Sequence, residues 1–172
     1  VDIDTMVHWD CPNFFEAADG EFGAIQDRFF IEWTHNSIKG YQDYWPDVKF
    51  DWTTYFNCGF IVLNKKHKEF CKHVTDFYYE NEEELRTRQH QTVKKGSDQT
   101  PINYMIRDSK FDLKFLDERF NLQQLHLRGV LQEDLLWSCA WVWHFNGFEK
   151  TERNGLMKKI WEMIKDNYVI EK

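Results

Sequence analysis

The sequence predicts an α/β layered fold. Apolar runs of strand length alternate along the chain with amphipathic stretches of helical spacing. No internal repeat or low-complexity tract interrupts that alternation. The 172 residues suit one domain with a sizeable core, taken as 1–172. Aromatic residues make up 17% of the chain, which excludes a disordered segment and requires most of these rings to be buried or to line a groove.

The elements follow in order. Residues 1–7, "VDIDTMV", read as a strand with Asp2 and Asp4 on one face and Val1 and Ile3 on the other. "WDCPNFFEAADG" (9–20) reads as a loop and a short helix, with Pro12 in its first turn and Gly20 just past its end. "FGAIQD" (22–27) is a second strand. Residues 28–54 are rich in aromatics without a steady period and read as a long ordered loop with short helical pieces.

Phe60, Ile61, Val62 and Leu63 form a buried strand preceded by Gly59 and ended by Asn64. "HKEFCKHVTDFYYEN" is an amphipathic helix with Phe70, Val74, Phe77 and Tyr78 at helical spacing. The charged run 82–96 reads as a solvated helix end and loop. A helix follows from Ser97 or Asp98, with Ile102, Met105 and Ile106 as its apolar face. "FDLKFLDERFN" holds a short strand, and "WVWHFNG" (141–147) a further strand running into a turn at Asn146-Gly147. A last helix faces Leu156, Ile160, Met163 and Ile164 inward and Lys158, Lys159 and Lys165 outward.

Bulk composition removes several function classes. The formal net charge of −7 argues against nonspecific binding to nucleic acid or to an anionic membrane. A phosphate-bearing small molecule needs only a local cation and stays open. The four cysteines, Cys11, Cys58, Cys71 and Cys139, make no CxxC and no dense framework, so they read as reduced thiols. No apolar run approaches transmembrane length, no signal peptide is visible and no Asn-x-Ser/Thr sequon occurs. Together these predict a cytoplasmic protein.

Four constellations carry candidate chemistry. Asp2 and Asp4 either hold one hard divalent cation or are solvated acids at an exposed strand end. Val7 stands where an EF-hand loop needs glycine, so that site is excluded. In "HFNGFEK" (144–150), His144 offers an imidazole to a metal, Gly147 a tight turn or close backbone approach, and Lys150 a positive charge to phosphate. The same residues also suit ordinary turn and surface roles. Asp98 and Gln99 at a helix start are an N-cap or a pair that bonds a hydroxylated substrate. Asn57 and Gly59, in "FNCG" before the buried strand, suit plain turn chemistry. His67, Cys71 and His73 have zinc-like spacing, but His73 leaves the shared helix face and no fourth ligand is evident. Trp137, Trp141 and Trp143 read as core or groove wall. No GxSxG or GxGxxG occurs.

The order of these blocks is more specific than any one of them. "VDIDTMV", "YFNCGFIVLN", "SDQTPINYMI", "LDERFNLQ" and "HFNGFEK" span nearly the whole chain. Their succession resembles the family 8 retaining glycosyltransferases, which include glycogenin and bacterial lipopolysaccharide galactosyl- and glucosyltransferases.

The resemblance implies a GT-A nucleotide-diphospho-sugar transferase fold. The chain would begin at its DxD strand, with the N-terminal nucleotide-binding βαβ half absent. It implies Mn2+ or Mg2+ held by Asp2, Asp4 and His144. Gly147 and Lys150 would contact the donor diphosphate. Asp98 would hold donor-sugar hydroxyls, with Gln99 near the anomeric carbon as the catalytic pair. Asn57 and Gly59 would line the sugar and acceptor pocket. A nucleotide-diphosphate sugar, UDP-sugar favoured, would be the donor, and a glycan, lipid-linked or protein hydroxyl the acceptor. Where the family continues HxxGxxK with Pro-Trp, this chain has Thr151-Glu152. A catalytically silent sugar-nucleotide or glycan-binding module, or a nucleotide-sugar hydrolase, fits the same residues.

Overall fold

The computed structural model describes residues 1–92, 98–109, 111–129 and 139–165. Ser97, Trp137 and residues 93–96 lie outside the described residues, as do the side chains of Met163 and Ile164. The fold is mixed α/β. The chain packs as two compact units, residues 15–116 and the described residues of 1–14 with 117–172. Each is described by itself.

The 15–116 unit is built on a three-stranded sheet. Strand β2 (Phe22–Gln26) lies between β3 (Phe56–Val62), antiparallel, and β4 (Leu113–Phe115), parallel. The helix expected in 9–20 is α1 (Phe14–Ala18), which starts two residues after Pro12. Asp19 and Gly20 end it, both at positive φ.

Residues 28–54 differ from the loop expected there. They contain α2 (Ile31–Tyr41), an eleven-residue helix. Its buried face is Thr34, Ser37, Ile38 and Tyr41, at i, i+3, i+4 and i+7. Two of those four side chains, Thr34 and Ser37, are small and polar, so the helix has the right period but little apolar signal.

Strand β3 starts four residues earlier than the run Phe60–Leu63 suggested, and Leu63 is left 36% exposed. Gly59 is therefore inside the strand rather than before it. Asn64 caps the next turn by accepting from Lys66 N at 2.9 Å, while His67 Nδ1 accepts from Asn64 N at 3.1 Å. His67 is a fully buried partner of that capping box rather than a ligand. Helix α3 (Lys68–Glu80) then packs Phe70, Val74 and Phe77 against Phe22, Phe56, Met105 and Ile106. The charged run is helical as well: α4 (Glu82–Thr87) buries Leu85, and Arg88–Thr92 winds one wider π turn.

Helix α5 (Gln99–Asp108) is joined to β3 through Asn103, which is fully buried. Its Oδ1 accepts from Phe56 N at 3.0 Å and its Nδ2 donates to Phe56 O at 2.8 Å. The side chain thus bonds to the strand edge as a neighbouring strand would. Aromatic rings fill the space between α2 and α5. Trp45 stacks on Tyr104 at 5.0 Å, and Phe50 meets the same ring edge-on at 4.9 Å. The Tyr104 hydroxyl donates to Ile38 O at 2.8 Å, so its polar end is satisfied in the core.

The second unit holds a two-stranded antiparallel sheet of β1 (Thr5–Val7) and β5 (Val142–His144). The strand expected over 1–7 covers only its last three residues. Residues 3 and 4 form a turn, and Val1 and Ile3 are 72% and 99% exposed. Partner β5 stops at His144, so residues 1–3 have no strand to pair with. Trp143 and Phe145 are fully buried against Leu122, Leu125 and Ile160. Leu125 opens α6 (Leu125–Arg128), and Ile160 comes from α7 (Lys150–Ile164). None of the four cysteines forms a disulfide, and all are half-buried. Among the described residues no helix is long and apolar enough to cross a membrane.

Replacing Asn103 by Ala strands both polar groups of Phe56 away from water. The expected cost is about 2–4 kcal/mol in urea unfolding. His67 sets a pH dependence. Burial first, and the Lys66 charge second, hold its pKa below the ordinary histidine value. The unfolded chain therefore binds more protons than the folded one as the pH falls through the free-histidine range. Stability should drop between about pH 7.5 and 5.5, and the melting temperature of His67→Gln should fall less over that window.

Candidate functional site

The ladder between the chain ends builds the first group of residues. His8 N donates to Trp141 O at 2.8 Å, and Phe145 N donates to Asp4 O at 2.8 Å. Thr5 lies opposite His144. On the other side of β5, His144 N donates to Leu122 O at 2.9 Å. His144 is thus fixed by backbone on both flanks, with its side chain 4% exposed. The two acids reach it through the turn before β1, not through strand alternation. Thr5 Oγ1 donates to Asp2 O at 2.7 Å and closes that turn.

His144 Nε2 lies 3.4 Å from Asp4 Oδ1 and 3.7 Å from Asp2 Oδ2. One ligand atom from each of the three residues falls within 4.8 Å of the others. A cation with oxygen and nitrogen ligands spaces them roughly 3–4.5 Å apart, so the donor set and spacing fit a small divalent ion. Asp2 is 58% exposed and Asp4 12% exposed at the side chain. His144 Nδ1 is buried with no hydrogen-bond partner among the described residues. Among the described residues the outer anchor that metal-bound imidazoles generally have is absent.

Asp4 has a further neighbour that the sequence did not announce. Arg153 Nη1 donates to Asp4 Oδ2 at 2.5 Å, across 149 sequence positions. The carboxyl of Asp4 is held below its usual range, chiefly by hydrogen bonding from His144 and further by the charges of His144 and Arg153, with burial opposing.

Gly147 and Lys150 lie in the segment that leads from β5 into α7. Gly147 is exposed at φ +81°, and Lys150 is the exposed first residue of the helix. A Cβ at 147 would come within 2.7 Å of His126 Cε1 and 2.9 Å of Gln124 Oε1. Gln124 is itself left-handed, at φ 56°, and its N–H donates to Asn146 Oδ1 at 2.9 Å. The close backbone approach expected of Gly147 therefore includes its own neighbours.

The second group lies in the 15–116 unit and forms at a slip in the sheet. Ala24 pairs with Ile61, but Ile25 pairs with Asn57, so Cys58–Phe60 fall within an irregularity of β3. Side-chain amides satisfy the backbone there. Gln99 Oε1 accepts from Cys58 N and from Asn57 Nδ2, each at 3.1 Å. Asn57 Oδ1 accepts from Gly59 N at 2.8 Å. Gln99 Nε2 donates to Asp27 Oδ2 at 3.3 Å.

Asn57, Gly59 and Gln99 are thus brought together, all buried. Asp98 stands exposed before α5, and its side chain makes no cap to that helix. Asp27 is the residue that sequence reasoning passed over. Its only local signal is that it ends the apolar run of β2, where polar site residues of α/β sheets collect. Compared with protein-family models, curated proteins and solved structures, the chain finds no match.

The two glycines of the second unit make a contrasting pair. Gly147→Ala should cost about 1–3 kcal/mol through its left-handed backbone and crowded Cβ. Gly155→Ala, inside α7 with nothing near its Cβ, should gain up to about 1 kcal/mol. Denaturant midpoints of the two variants read both signs.

Proposed function

We propose that this chain is a metal-dependent glycosyltransferase of the GT-A type. It moves a hexose from a nucleotide-diphosphate sugar, UDP-sugar favoured, to a glycan, lipid-linked or protein hydroxyl with retention of configuration, in a reducing, cytoplasmic setting. The observation that carries the reading is the meeting of Asp2, Asp4 and His144 from distant parts of the sequence. Two carboxylates and one imidazole suit Mn2+ or Mg2+.

A bound divalent ion would neutralise charge developing on the leaving diphosphate. The chain's own groups do the rest. Lys150 adds a positive charge at the start of α7, where the helix end also favours anions. Gly147 keeps the approach to that loop low. Asn57, Gly59, Asp98 and Gln99 address the sugar. Gln99 is already tied to Cys58, Asn57 and Asp27, so its part is to hold geometry near the anomeric carbon rather than to attack.

The ion pair between Arg153 and Asp4 favours a second reading. A cation of the protein already balances one ligand, which suits a catalytically silent sugar-nucleotide-binding module. A panel of nucleotide sugars with and without Mn2+ and acceptor separates the readings. Transfer that needs Mn2+ and falls on the order of 100-fold in Asp4→Asn and in His144→Ala supports the enzyme. Donor binding without turnover supports the silent module. Equal donor cleavage with and without acceptor indicates a hydrolase. Turnover indifferent to Mn2+ and to both substitutions overturns the metal-dependent reading.

A further inference from the structure

We propose that Arg153 is an internal cation that competes with a divalent ion for Asp4 and sets how tightly the centre binds metal. The inference rests on reading Asp2, Asp4 and His144 as a metal centre. It concerns a residue outside the HxxGxxK block, three positions past Lys150.

The placement of Arg153 follows from helix geometry. Arg153 N donates to Glu149 O at 2.9 Å, which fixes its Cα in the first turn of α7. Helical side chains lean toward the N-terminus of their helix, so Arg153 reaches back past the 145–149 segment. There it meets Asp4 Oδ2, while Asp4 Oδ1 faces His144. The carboxylate is divided: one oxygen is taken by guanidinium and one is left for an ion. Asp4 is thereby restricted to a single ligand oxygen. The formal charge of Asp2, Asp4 and Arg153 together is −1 rather than −2.

Two effects of removing Arg153 oppose each other. Loss of an outer-shell partner can disorder a ligand and weaken metal binding. Loss of a neighbouring positive charge strengthens it. The structure decides between them. The backbone of Asp4 keeps its place through Phe145 N to Asp4 O, through the turn closed by Thr5, and through the start of β1, and His144 stays beside its Oδ1. None of these bonds involves Arg153. The charge effect therefore dominates. Without Arg153 the poorly exposed Asp4 also loses a permanent counter-charge, so the metal-free protein is destabilised while the metal-bound one is not.

The test titrates Mn2+ alone into the 172-residue chain and reads free ion by electron paramagnetic resonance. Thermal unfolding is followed in parallel. Arg153→Gln and Arg153→Met, both neutral, should bind Mn2+ about tenfold or more tighter than the natural chain. Both should melt lower without metal and gain more from it. Arg153→Lys keeps the charge and should bind as the natural chain does. Asp4→Asn should remove the binding. Neutral variants that bind no tighter, or more weakly, overturn the proposal and leave Arg153 as an orienting residue of a real metal centre. Absence of Mn2+ binding in the natural chain and in both neutral variants overturns the metal centre itself, and the competition with it.

Discussion

The pairing of residues 4–8 with 141–145 is the constraint on which the candidate metal centre depends. It joins segments from far-separated parts of the sequence. Loop-closure entropy rises only slowly with length, so the separation is affordable. Burial of Trp143 and Phe145 against Leu122, Leu125 and Ile160 offsets that entropy. The ladder is short because His144 is its last paired residue. That shortness is what makes the site: where pairing stops, the chain turns, and Asp2 and Asp4 come round to the Nε2 edge of the imidazole. A longer strand would have put Ile3 and Val1 into register and spread the acids along it.

Charge balance explains why the three groups are not equivalent. Asp2 is well exposed, and water screens its charge. Asp4 is mostly covered, and a covered carboxylate needs counter-charge and hydrogen bonds to stay ionised. His144 and Arg153 supply them from opposite sides, one per oxygen. The same division leaves Oδ1 toward His144 and Oδ2 toward Arg153, as expected of an ion ligand and equally of a buried ion pair.

In the 15–116 unit the governing feature is a defect. A regular ladder between β2 and β3 would use the backbone of Cys58 and Gly59 for pairing. The slip at Ala24–Ile25 leaves those N–H groups to Gln99 and Asn57. Buried amides rarely go unsatisfied, so the two side chains are held with little freedom. Such bulges often lie beside binding sites. Here the rigidity extends to Asp27 through the other end of the Gln99 amide. Asn57, Gly59 and Gln99, which the resemblance assigns to sugar binding, are thus part of the internal bonding of the sheet.

The sequence by itself determined the element types wherever apolar residues kept a clean period. β2, α3, α5, β5 and α7 were legible for that reason, because periodicity is a local property of the chain. It also singled out Asp2, Asp4 and His144 as residues able to hold an ion. It did not show α2, whose buried face carries Thr34 and Ser37, nor that the strand of "VDIDTMV" begins only at Thr5. Only the tertiary structure decided which side chains meet. Asp27 on Gln99, Arg153 on Asp4 and the crowding around Gly147 each arise where a register ends, a turn closes or a helix starts. Those events depend on what segments distant in sequence offer as partners, and no local pattern encodes them.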